Sequence, residues 1–161
     1  KYKKNPNVIA VNSGKNTQTG GRILKAKKYI RSKNFCVTYG DSLANFNINT
    51  ALKIKKNNFL ISFYKYQFPY GIVKNKKNKL YVINEKNNIF NINAGFYIFD
   101  KRIFKFIKSN KDSLEKDVIK KILKNKIIFH ANYIKKWMPM DTYGNRLDLL
   151  NILKRNPKFF N

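Results

Sequence analysis

Short apolar runs alternate with segments of helical spacing along almost the whole chain, and this alternation constrains the fold more than any other feature. Phe35 to Tyr39, Phe59 to Tyr64, Ile92 to Phe99 and Ile127 to His130 read as strands. Ile72-Val73 and Leu80 to Ile83, joined by Lys74 to Lys79, read as a hairpin. Thr19-Gly20-Gly21-Arg22 opens a helix in which Ile23, Leu24, Lys27 and Ile30 repeat at helical spacing. Asn49 is expected to cap a short helix carrying Ala51, Leu52 and Ile54. Asp100 is expected to cap a helix with Ile103, Phe104 and Ile107 on one face. Asp112 and Glu115 fit a capping box for a second helix, with Val118, Ile119, Ile122 and Leu123 facing inward. Asp141-Thr142 starts the last helix, with Leu147, Leu150 and Leu153 along one face. Such alternation predicts an α/β fold with a largely parallel sheet covered on both faces. No repeat or linker divides the sequence, so residues 1–161 read as one domain.

At 43% apolar and 15% aromatic residues, the chain has the material for a packed core and is no disordered polycation. No apolar run approaches the ~20 residues of a membrane span. Lys1 to Asn7 is basic but leads into no signal-type apolar core, so a soluble protein with no membrane partner is expected, and the single cysteine fits a reducing cytoplasm. Lys and Arg number 35 against 8 Asp and Glu, a net charge of +27. That excess raises a nucleic-acid-binding module as a rival reading. The lysines are dispersed, however, and the sequence is crowded with Lys, Asn, Ile, Phe and Tyr, the residues of AT-rich codons. Compositional drift therefore accounts for the charge, and nucleic acid is not the expected partner. Cys36 is the only cysteine and His130 the only histidine, which excludes an internal disulfide and a zinc motif. Cys36, between Phe35 and Val37, is expected to be buried and inert, and His130 to be a satisfied strand-end residue.

The carboxylates form a short list: Asp41, Glu85, Asp100, Asp112, Glu115, Asp117, Asp141 and Asp148. Sheets of this class bind ligands beyond the carboxyl ends of their strands, which draws attention to Gly40-Asp41. Asp141 follows the apolar turn Trp137-Met138-Pro139-Met140. Two carboxylates at the ends of separate elements suit a shared hard divalent cation. The plain alternative is that Asp41 makes a turn and Asp141 caps the last helix.

Five ordered segments carry a family resemblance. Val11-Asn12-Ser13-Gly14-Lys15-Asn16-Thr17-Gln18-Thr19-Gly20-Gly21-Arg22-Ile23 is similar to V-D-T-G-x-x-x-x-T-G-G-R-[IL]. Phe35 to Asp41 resembles a T-Y-G-D strand end, Asn84-Glu85-Lys86 an E-K-P motif, and Ile92-Asn93-Ala94-Gly95-Phe96 an I-N-G-G-F motif. Trp137 to Thr142 resembles W-Q-P-M-D-T. In this order and over residues 8 to 153, the set resembles the sugar-phosphate nucleotidyltransferases of the glucose-1-phosphate cytidylyltransferase branch.

The resemblance implies a Rossmann-like nucleotidyltransferase fold with a mixed, largely parallel sheet, represented here by its C-terminal portion. It implies transfer of a cytidylyl group from CTP to glucose 1-phosphate, giving CDP-glucose and pyrophosphate, in a bacterial, cytoplasmic, polysaccharide-building setting and as a homo-oligomer. Asp41 and Asp141 would hold a catalytic Mg2+. Gly40 would admit substrate to the strand end. Thr17 and Arg22 would contact substrate, Arg22 by a bidentate grip on phosphate. Glu85 and Lys86 would serve the sugar phosphate, and Asn93 the sugar hydroxyls, against the alternative of a turn residue. Trp137 would serve as pocket wall or core. Departures fall at Ser42, Asn87, Ala94, Met138 and Pro69-Tyr70-Gly71, where the family has G, P, G, Q and R-F-G; they bear on which sugar is used. The family's G-G-x-G-T-R-L loop and K-P-K-P-M segment precede the part matched here. The chain by itself is therefore expected to be inactive. A different sugar or nucleotide, and an inactive fragment, are the alternatives within the superfamily.

Overall fold

A computed structural model of the chain describes residues 7–84 and 88–160. In chain order its regular elements are α1 (Thr19–Ala26), β1 (Asn34–Thr38), β2 (Ser42–Ala44), α2 (Ile48–Lys55), β3 (Phe59–Gln67), β4 (Ile72–Lys76), β5 (Lys79–Asn84) and β6 (Ile89–Asp100), then α3 (Lys120–Lys124), β7 (Phe129–Tyr133), β8 (Trp137–Pro139) and α4 (Tyr143–Arg155). By their contacts the residues form two compact units, 1–35 with 99–128, and 36–98 with 129–161.

In the first unit α1 packs through its two glycines. A Cβ on Gly21 would lie 2.5 Å from the Asn110 carbonyl oxygen, and one on Gly20 2.7 Å from that of Asp112. Gln18 N–H donates to Asn110 C=O at 2.9 Å, and Leu114 N–H to the Thr19 hydroxyl at 2.8 Å. Among the described residues, Ile23, Phe99, Ile103, Ile107, Leu114, Val118 and Ile122 are the buried apolar residues of this unit. Asp100 caps as expected, but over a 3-10 turn, Lys101–Lys105; its carboxylate takes Arg102 N–H at 2.9 Å and the Arg102 guanidinium at 2.9 and 2.8 Å. The expected Asp112–Glu115 box is displaced by one position. Ser113 caps a π-helical turn, Leu114–Ile119, and its N–H donates to the Asp117 carboxylate at 2.8 Å. Asp112 instead closes the preceding turn, taking Lys108 N–H at 2.6 Å and Ser109 N–H at 3.2 Å. Leu123, expected inside, is exposed.

The second unit is built on a sheet ordered β1-β6-β3-β7. The sheet is mixed: β3 pairs antiparallel with β6 and parallel with β7. β6 follows the β4–β5 hairpin and returns antiparallel to β3, ending with Ile98 beside Leu60; β7 sets out beside the same end, with Phe129 against Phe59, and so runs parallel to β3. The hairpin forms where the sequence predicts it, turning at Lys77 and Asn78 with φ of 46° and 63°. Ala51 of α2 packs with Leu60 and Ile98, all fully buried, beside Phe46 and Ile54. The cap of α2 is Asn47, whose side chain accepts from Thr50 N–H at 2.9 Å, not Asn49. Asn132 donates to Ser62 at 3.1 Å, so this buried polar pair satisfies itself. His130 meets Asn58 at 3.1 Å, in keeping with a satisfied strand residue. Cys36 is exposed, contrary to expectation, because β1 is an edge strand whose alternation turns Phe35 and Val37 to the other side. Partial desolvation nonetheless pushes its thiol pKa up, so it remains a poor nucleophile. In α4 the buried residue is Leu149; Leu147 and Leu150, expected on the inner face, are exposed.

Candidate active site

A two-stranded antiparallel ribbon brings the two aspartate segments together. β2 and β8 pair Ser42 with Pro139, Leu43 with Met138 and Ala44 with Trp137. One step further, Met140 N–H donates to the Asp41 carbonyl at 2.7 Å. Asp41 is therefore bonded to the residue immediately before Asp141, although 100 positions separate the two aspartates. Both are exposed. The helix cap is not Asp141 but Thr142, whose hydroxyl accepts Asn145 N–H at 3.1 Å while the Asn145 side chain accepts Thr142 N–H at 3.2 Å. Asp141 is thus not consumed by capping. No cluster of three or more His, Cys, Asp or Glu side chains with metal-ligand geometry exists among the described residues. Two carboxylates on an open strand end suit Mg2+, a hard ion that takes one or two carboxylates and completes its shell with phosphate and water.

Around this pair the I-N-A-G-F segment forms a bulge. β6 is in register with β3 at Ile61–Tyr97 and again at Phe63–Asn93, so β6 carries two extra residues. Gly95 sits at φ +75°, a conformation that favours glycine. The Asn93 side chain spans the bulge, accepting Gly95 N–H at 3.0 Å and donating to the Tyr97 hydroxyl. Trp137 donates its indole N–H to Ala94 C=O at 3.0 Å and stands 5.7 Å from the Tyr64 ring. Tyr39 N–H donates to Gly95 C=O at 3.3 Å, and its ring lies edge-on to Tyr97 at 6.1 Å. At Gly40, a Cβ would meet nothing within 4 Å, so the space in front of it is open.

Thr17 and Arg22 come together in the first unit. Arg22 Nε donates to Thr17 C=O at 3.0 Å. Thr17 is buried and its hydroxyl donates to Ser13 C=O, which Lys25 also reaches at 2.7 Å. Arg22 is exposed, and among the described residues its side chain donates to a carbonyl, that of Thr17. Glu85 and Lys86 lie outside the described residues. Sequence reasoning missed Tyr39 and Tyr97 as supports of the bulge. The available signal was Gly95, since a glycine inside a strand pattern marks a bulge or a close approach.

No protein-family model matches the chain. It is 26% identical over 147 residues to the "probable glucose-1-phosphate cytidylyltransferase" of Bacillus subtilis (strain 168), covering 88% of this chain and 58% of that protein. It is 23% identical over 149 residues to the glucose-1-phosphate cytidylyltransferase of Salmonella typhimurium, covering 89% and 58%. A solved UDP-glucose pyrophosphorylase, determined with UDP-glucose, matches with a TM-score of 0.62 at 18% identity, over 90% of this chain and 65% of that one. The chain has the sugar-phosphate nucleotidyltransferase fold. It spans 58% of the length of the two cytidylyltransferases. Within this nucleotidyltransferase fold the Asp41 strand end and the Met140–Asp141 turn are adjacent segments, while Thr17 and Arg22 form a separate cluster in the other unit. No helix among the described residues is long and apolar enough to cross a membrane.

Proposed function

We propose that this chain is part of a glucose-1-phosphate cytidylyltransferase. In the proposed reaction a phosphate oxygen of glucose 1-phosphate attacks the α-phosphorus of CTP in line. The bond to the β-phosphate oxygen breaks, giving CDP-glucose and pyrophosphate. The observation that carries this reading is the 2.7 Å bond from Met140 N–H to Asp41 C=O, which sets two carboxylate-bearing segments side by side at an open strand end. Asp41 and Asp141 would hold Mg2+, which supplies charge neutralisation on phosphate oxygens when bound. The open space before Gly40 admits a ligand close to the backbone. Arg22, exposed and held through Nε to Thr17 C=O at 3.0 Å, is assigned to phosphate by motif and by its guanidinium chemistry. Glu85 and Lys86 are assigned to the sugar phosphate by motif alone. Asn93, whose amide braces the bulge, would reach a sugar hydroxyl only through donor and acceptor capacity left over from those bonds. The choice of cytidylyl and glucose rests on the two relatives at 26% and 23% identity. The same reading carries with it a bacterial cytoplasmic enzyme that works as a homo-oligomer and feeds polysaccharide synthesis.

The test is calorimetric titration of glucose 1-phosphate, with and without Mn2+, into the protein and its variants. Binding that strengthens with Mn2+ is expected, and D41N and D141N should each remove the Mn2+-dependent part. K86A should weaken sugar-phosphate binding by about 1–3 kcal/mol, the scale of a charge-assisted hydrogen bond. Unchanged Mn2+ dependence in both aspartate variants would overturn the reading. Competition among CTP, UTP and dTTP decides the nucleotide.

A further inference from the structure

The bulge in β6 is tied to both aspartate segments, and the ties close a circuit. From Ala94 C=O the path runs to the Trp137 indole at 3.0 Å and along the chain to Met140. It crosses to Asp41 through the 2.7 Å bond and passes back to Tyr39, whose N–H returns to Gly95 C=O at 3.3 Å. The two acceptor carbonyls, Ala94 and Gly95, belong to adjacent residues, and their directions are set by the bulge. Asn93 holds the bulge shut by accepting Gly95 N–H at 3.0 Å and by its bond to Tyr97. The missing Cβ of Gly95 is part of the same fit, since one would lie 3.1 Å from Cδ2 of the Tyr39 ring. Every residue in the circuit lies in one compact unit.

We propose that Asn93, Gly95 and Trp137 are positioning residues: the bulge clamps the Asp41 and Asp141 segments at a fixed separation, and Asn93 acts through that clamp. The functional value of the clamp rests on the reading that Asp41 and Asp141 share a cation, but its existence does not. An unclamped pair would have to be ordered by the cation itself, which weakens binding; a preformed pair avoids that cost.

The experiment combines amide hydrogen exchange by NMR with Mn2+ affinity from water-proton relaxation, on the wild type, W137F, N93L, N93D and D41N. W137F keeps an aromatic ring and deletes one donor. With the clamp intact in the wild type, W137F and N93L should each speed exchange at the Met140 amide about 10-fold, the loss expected when one hydrogen bond is removed. Exchange at Leu60 in the core should not move. Mn2+ binding should weaken by about the same factor, and N93D, which keeps the acceptor for Gly95 N–H, should recover part of both effects. Unchanged exchange at Met140 in W137F and N93L would overturn the clamp. Mn2+ binding that D41N leaves intact would sink the cation reading instead, and the exchange result would still decide the clamp.

Discussion

A Cβ placed on Gly21 would fall 2.5 Å from the Asn110 carbonyl oxygen and 2.6 Å from its Cα, whereas one on Gly40 would meet nothing within 4 Å. These two glycines, both within the resemblance motifs, therefore serve different ends. Gly21 permits α1 to touch backbone, which cannot retreat as a side chain would. G21A should destabilise the fold by about 1–3 kcal/mol, the usual cost of overpacking, as read by urea unfolding. G40A should leave stability within about 0.5 kcal/mol. If the open space before Gly40 receives substrate, the same variant should weaken glucose 1-phosphate binding. Equal unfolding midpoints for G21A and the wild type would show that the 109–112 turn gives way freely.

At the scale of elements, one helix cap and one turn set the ends of segments that matter. Thr142 and Asn145 cap α4 directly after Asp141. T142A should cost about 1 kcal/mol of stability and loosen the Asp141 turn; an unchanged melting curve would mean that α4 is held by Leu149 and its neighbours alone. Asp112 organises the turn that receives α1. The Lys108 and Ser109 amides and the Lys121 charge, 3.6 Å away, hold its carboxyl below its ordinary value of 3.8 against an opposing desolvation. A carboxyl of lowered pKa stays ionised in the folded chain when the unfolded chain has begun to take up a proton. Its contribution is therefore present above pH about 4 and is lost as pH falls through the folded value. D112N should flatten that part of the stability–pH curve, and a curve of unchanged slope would assign the acid loss to other carboxylates.

For the whole molecule, the +27 net charge on 161 residues is the dominant long-range term. With 8 Asp and Glu against 35 Lys and Arg, most cations cannot be paired with an acid; Arg102–Asp100 and Lys121–Asp112 are ion pairs among the described residues. Self-repulsion of this kind is screened over about 10 Å at 0.1 M salt. Tm should rise as NaCl is raised from low to physiological concentration, because the compact state carries the closer charges. A Tm that falls with salt would show that attractive pairs outweigh the repulsion. Screening also removes the barrier to association, so light scattering should increase over the same range.

Local signals in the sequence determined the alternation of elements, the hairpin, the Asp100 cap and the resemblance motifs, because periodicity and turn chemistry act over a few residues. Caps shifted by one or two positions, from Asn49 to Asn47 and from Asp112 to Ser113, because several Asn, Asp and Ser stand close together and each is a competent cap. Cys36 came out exposed because an apolar run does not say whether its strand lies at an edge, which is a property of sheet order. The inner face of α4 was misplaced for a similar reason: Leu147, Leu149, Leu150 and Leu153 offer more than one stripe, and packing selected Leu149. The meeting of Asp41 with the Met140–Asp141 turn was signalled by motif and made only by tertiary structure. The bulge at Asn93–Gly95 joins segments from three distant parts of the chain. Such pairings depend on strand register and on backbone groups that every residue shares, so no choice of side chain at a single position announces them.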